Sequence, residues 1–96
     1  MNRFEYLLNK LQEESGELTT AAAKVNAFGR EGQDPSTGIY YDNVERLIKE
    51  ANDVIGILQM LADEGFLPDG FIRWNEVYDK ANKVNRYIRY HGMNNV

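Results

Sequence analysis

LQEESGELTTAA, residues 11–22, decides how this chain folds. The lane it belongs to runs Phe4, Leu7, Leu11, Glu14, Leu18, Ala21, Val25, Phe28, spaced by threes and fours, and its only charged member is Glu14. That period marks an amphipathic helix with one buried seam. KEANDVIGIL, residues 49–58, repeats the device, because Leu47, Glu50, Val54, Ile57 and Leu61 form a second lane broken by Glu50. A further carboxylate follows each at three residues, Glu17 after Glu14 and Asp53 after Glu50. Residues i and i+3 share a helix face, so each pair can grip one ion from one side. Turning bare carboxylates toward a core costs several kcal/mol or more each unless a cation or a proton compensates. A metal ion would compensate.

Outward from these stretches the sequence predicts three helices and no strand. The first runs from about Arg3 to Phe28, where Gly29 stops it. At ~1.5 Å per residue it is roughly 39 Å long, against a ~32 Å diameter for a compact sphere of this chain length, so it should pack on a second chain. Residues 29–43, GREGQDPSTGIYYDN, read as a long loop, of the kind that is a lid, a binding loop or disordered. Asp42 is the expected cap of a second helix that ends at Asp63 or Glu64 before Gly65. Its stretch VIGILQMLA, residues 54–62, is apolar nearly all round, as in a central helix covered on several sides. Asp69 is the expected cap of a third helix, about Phe71 to Tyr90, with Trp74, Val77, Ala81, Val84 and Ile88 as its buried lane. His91, Gly92 and the polar residues 93–96 read as a frayed terminus, and His91 as a surface residue without a role.

Ninety-six residues suit one domain, 1–96, with a modest core that an oligomer partner would help. The chain has no cysteine, which excludes thiolate metal sites and disulfides and suits a reducing, cytoplasmic setting. No apolar run approaches the length of a membrane span and no leader pattern precedes the first helix, so neither a membrane nor secretion is expected. A net charge of −4 argues against nucleic acid as a partner, although the charge is unevenly spread. Residues 1–72 hold thirteen acids and six bases, whereas residues 73–96 hold five bases and two acids. A cationic helix facing an acidic one suits a metal–polyphosphate site; ordinary solvated faces give the same pattern.

The two pairs Glu14-Ser15-Gly16-Glu17 and Glu50-Ala51-Asn52-Asp53, with Glu13 before the first and an apolar stretch after the second, form an E-x-x-E … E-x-x-D pattern. Over nearly its full length the chain resembles the MazG-like branch of the all-α NTP pyrophosphohydrolases. The resemblance implies an all-α, three-helix protomer that assembles into a four-helix-bundle homo-oligomer, dimer or tetramer. It implies Glu14, Glu17, Glu50 and Asp53 as ligands of Mg²⁺, with Mn²⁺ as a substitute, and all-oxygen ligands do favour these ions over zinc or copper. The implied activity is hydrolysis of noncanonical or excess (d)NTPs to a nucleoside monophosphate and pyrophosphate, by a water that attacks the α-phosphorus. Glu14 or Glu17 is the expected catalytic base. A guanosine polyphosphate alarmone is the second candidate substrate, and a non-catalytic helical module that binds nucleotide or protein is the alternative of a different class. The phosphoribosyl-ATP hydrolysing relative is disfavoured, since its lysine before the first glutamates and its histidine after the second motif are missing here.

By the same resemblance, the third helix supplies phosphate contacts from Lys80, Lys83 and Arg86 and nucleotide contacts from Asn82 and Tyr87. These charges read equally as a solvated face. Base-stacking candidates are Phe4, Tyr6, Tyr40, Tyr41, Trp74, Tyr78, Tyr87 and Tyr90, of which Trp74 reads better as core, and Tyr40 and Tyr41 either close over a ligand or staple the loop to the second helix.

Overall fold

A computed structural model describes residues 1–92 of the chain. The elements run α1 (Arg3–Phe28), β1 (Glu31–Gln33), β2 (Tyr40–Asp42), α2 (Asn43–Asp63) and α3 (Trp74–Tyr90). Three helices dominate, as the apolar periods require. The polar end expected at 93–96 lies outside the described residues.

Each end of α1 and α2 is set by local chemistry. Asn2 caps α1 by accepting from the Glu5 amide at 2.8 Å, and Asp42 caps α2 by accepting from the Glu45 amide at 2.9 Å. At the far end of α2, Gly65 takes a positive φ of 81°. Its amide donates to the Ala62 carbonyl while that of Phe66 donates to Leu61, a Schellman closure that turns Phe66 back toward the helix pair. There Phe66 stacks on Phe4 with centroids 4.7 Å apart, and Arg3 forks onto Glu64. At the opposite end Tyr41 donates to the Phe28 carbonyl and Asn43 to that of Gly29, each at 3.0 Å. The start of α1 therefore meets the end of α2 and the reverse, so the two helices pack antiparallel along the predicted seams. Leu7, Ala21, Leu61 and Ala62 are the buried apolar residues between them.

The expected loop at residues 29–43 is instead a β-hairpin, with Glu31 opposite Asp42, Gly32 opposite Tyr41 and Gln33 opposite Tyr40. Three-residue strands are too short to show an alternating pattern, which is why the sequence concealed them. The Asp34 carboxylate closes the turn by accepting from the Ser36 and Thr37 amides, and the Ser36 contacts hold its carboxyl below the ordinary carboxylate range. Gly32 is needed for close approach, since a Cβ there would lie 2.7 Å from the Tyr41 hydroxyl. Tyr41 thus staples the hairpin to the end of α1.

The third helix departs from expectation in two ways. It begins at Trp74, with Arg73 at its cap position making no side-chain capping bond, because Asp69 and Gly70 form a turn and Phe71–Arg73 continue as non-helical chain. Its apolar lane is not buried: Trp74 is 61% exposed, Val77, Tyr78 and Val84 are exposed too, and no residue of α3 is buried. Whereas α1 and α2 pack along their lengths, α3 forms no comparable interface with either. The radius of gyration, 17.2 Å, exceeds the roughly 12.5 Å of a compact chain of this length accordingly. Among the described residues no helix is long and apolar enough to cross a membrane.

Candidate metal centre

Midway along the α1–α2 seam the two interrupting glutamates meet. Carboxylate oxygens of Glu14, Glu50 and Asp53 all lie within 4.8 Å of one another. Oxygens on opposite sides of an octahedral Mg²⁺ stand about 4.2 Å apart, so small side-chain rotations bring this set to bonding distance. Glu50 is the most enclosed at 8% exposure, while Glu14 and Asp53 are half-buried. The ion pairs among the described residues leave Glu14 and Glu50 without a cation, and Asp53 alone is engaged, by Lys49 at 2.8 Å. Three carboxylates gathered in a half-buried seam repel one another, and a hard divalent cation is the ligand that removes the cost. The donor set fits Mg²⁺ or Mn²⁺.

Antiparallel packing explains why these residues converge. Glu14 lies about midway along α1, and Glu50 and Asp53 near the middle of α2, so each end clamp holds them in register. Glu17 is exposed and stands outside the cluster, one turn along α1 toward the hairpin. Glu13 pairs with Lys10 at 3.3 Å on the solvent side, in keeping with a solvated residue.

The candidates on α3 are gathered with one another but not with the acids. Lys83, Arg86 and Tyr87, with Tyr90, line a shallow pocket of about 320 Å³, while Lys80 and Asn82 are exposed outside it. Trp74 is tilted against Tyr78 at 6.2 Å rather than packed in a core, and His91 is exposed, edge-on to the Tyr90 ring. Tyr40 donates to Glu31 at 2.7 Å, and that hydrogen bond pushes its phenol up to about 12.

One grouping was missed by sequence reasoning. Lys24, Arg46 and Lys49 line a cleft that reaches Glu50 from the hairpin side. Each reads in sequence as a solvated charge, but Lys24 follows Glu17 by seven residues, Arg46 precedes Glu50 by four and Lys49 precedes Asp53 by four. Those offsets keep them beside the acids on the helix surface. The hydrogen bond to Asp53, with the charges of Asp53 and Glu50, holds the Lys49 ammonium above its ordinary value. No protein-family model, curated protein or solved structure matches the chain.

Proposed function

We propose that this chain is a Mg²⁺-dependent nucleoside triphosphate pyrophosphohydrolase, converting (d)NTPs to a monophosphate and pyrophosphate in the manner the E-x-x-E … E-x-x-D pattern implies. The observation that carries the reading is the convergence of Glu14, Glu50 and Asp53 from two helices, with the enclosed Glu50 in no ion pair among the described residues. A bound divalent ion would neutralise phosphate charge and lower the pKa of an attacking water. Glu14, Glu50 and Asp53 would hold it. Glu17, beside the triad and outside it, is the carboxylate left to take the proton from water.

A second copy of the chain belongs to the same proposal. The accessible surface, 7775 Å², exceeds the roughly 5,700 Å² of a compact monomer of this mass by about 2,000 Å², an area in the range that each partner of an obligate dimer buries. The surplus is apolar where an oligomer would need it: Ile48 and Ile55 on the outer face of α2, and the Trp74–Val84 lane of α3. Covering both would make α2 the central helix of a four-helix bundle.

The test is a panel of NTPs, dNTPs and guanosine polyphosphates with Mg²⁺, assayed for pyrophosphate separately from phosphate, on protein sized by light scattering. Pyrophosphate release by an oligomer is the expected outcome. Tight nucleotide binding without turnover would favour the non-catalytic module instead.

A further inference from the structure

The end of α1, the hairpin and the first turns of α2 surround an open cleft of about 690 Å³. Its cations are Lys24 from α1 and Arg46 and Lys49 from α2, and Glu50 of the metal centre lines it too. Tyr41 and Asn43 form the hairpin end, each fixed by its bond to a backbone carbonyl at the end of α1. The ion pairs among the described residues leave Lys24 and Arg46 unpaired, although Lys24 is half-buried. The cleft's other acids are Asp42, whose carboxylate is spent on capping α2, and the exposed Glu45. With Glu50 these acids balance the three cations, but Glu14 and Asp53 beside Glu50 add two negative charges, which a divalent cation at the metal centre would offset.

We propose that this cleft binds the polyphosphate chain of the ligand, with Lys24, Arg46 and Lys49 on the phosphate oxygens. Metal binding prepares it in two ways. It offsets the Glu14 and Asp53 carboxylates beside the cleft, and by taking up Asp53 it releases Lys49, whose pair with Asp53 is solvent-exposed and easily broken. Arg46 offers a planar fork suited to two oxygens of one phosphate, and the lysines act as point charges. The α3 cations are poorer candidates. At about 100° per residue Lys83 is roughly 180° and Arg86 roughly 120° around the helix from Trp74, so any body that covers the apolar lane leaves them facing away from it.

The inference rests on the metal-centre reading, and inorganic tripolyphosphate separates the two. Calorimetry on the intact protein, with and without Mg²⁺, would be compared for wild type, Arg46→Ala, Lys24→Ala, the double variant and Lys83→Ala, each checked for an unchanged melting curve. Arg46 is exposed, so its removal leaves the core intact even if Lys24→Ala is poorly folded. Wild type should bind tripolyphosphate only with Mg²⁺; Arg46→Ala should weaken it about tenfold and the double variant more, with Lys83→Ala unchanged. A nucleoside triphosphate should lose the same factors if the chain of phosphates is what the cleft reads. Mg²⁺ alone should still raise the melting temperature of every variant. If Arg46→Ala binds within about twofold of wild type while Mg²⁺ still stabilises the protein, the cleft is not the phosphate site and the metal centre stands. If Mg²⁺ stabilises no form, wild type included, the metal reading itself fails.

Discussion

The α1–α2 pair and α3 are both amphipathic, yet only the first has found its cover. In the pair, apolar lanes meet, both ends are clamped by side chains, and the seam tolerates three carboxylates at its middle. In α3 the lane from Trp74 to Ile88 is as regular, but most of it faces solvent and the first turn has no capping side chain. An amphipathic period states that a helix will hide one face; it does not state against what. The clamps are what the pair adds, and among the described residues α3 has no equivalent.

The largest effect expected from this contrast is at the seam's one enclosed charge. Glu50→Gln keeps the shape and removes a carboxylate that has no ion pair among the described residues, so turnover should fall at least about 1,000-fold, ~4 kcal/mol, and the Mg²⁺-induced rise in melting temperature should disappear. The metal-free variant should be as stable as wild type or more so. Turnover within about threefold of wild type would remove Glu50 from the site.

On the other side of the comparison, Val84→Asp places a charge in the α3 lane. Light scattering should report dissociation to monomers at micromolar concentration, because a desolvated carboxylate in an apolar interface is costly. An unchanged oligomer would show that the lane stays in solvent. Leu61→Ala, in the seam and 2% exposed, should instead cost roughly 2–5 kcal/mol in urea unfolding whatever the oligomeric state.

Smaller effects sharpen the comparison of helix ends. Asp42→Ala removes the capping bond of α2 and should cost about 1 kcal/mol, whereas Arg73→Ala at the uncapped start of α3 should cost nothing measurable by the same unfolding assay. Tyr40→Phe should have a small effect, and that effect should depend on pH. The Tyr40 phenol is raised from 10.0 to about 12 in the folded chain, so its contribution is present below pH 10 and fades as pH rises toward 12. The gap in urea midpoint between wild type and Tyr40→Phe should therefore be larger at pH 8 than at pH 11.

Much of the pair was legible in advance. Both helix boundaries, the stops at Gly29 and Gly65, the Asp42 cap and the seam that brings Glu14 to Glu50 follow from period and end signals that act over a few residues. The hairpin was not legible, because its strands are three residues long and Tyr41 reaches the Phe28 carbonyl across Gly32, a contact between residues thirteen apart. The same holds for the cleft. Lys24 and Arg46 lie on different helices, and only antiparallel packing makes them neighbours of one carboxylate.

By itself, then, the sequence determined what local physics controls: three amphipathic helices, the ends of the first two, and two carboxylate pairs set into apolar lanes. Tertiary structure decided which of those carboxylates meet, since Glu14, Glu50 and Asp53 converge while Glu17 stays in solvent. It also decided that α3 leaves its lane uncovered within one chain. The reason is common to both: a helix's period depends on its own residues, but the distance between two helices depends on the clamps, turns and hairpin that join them.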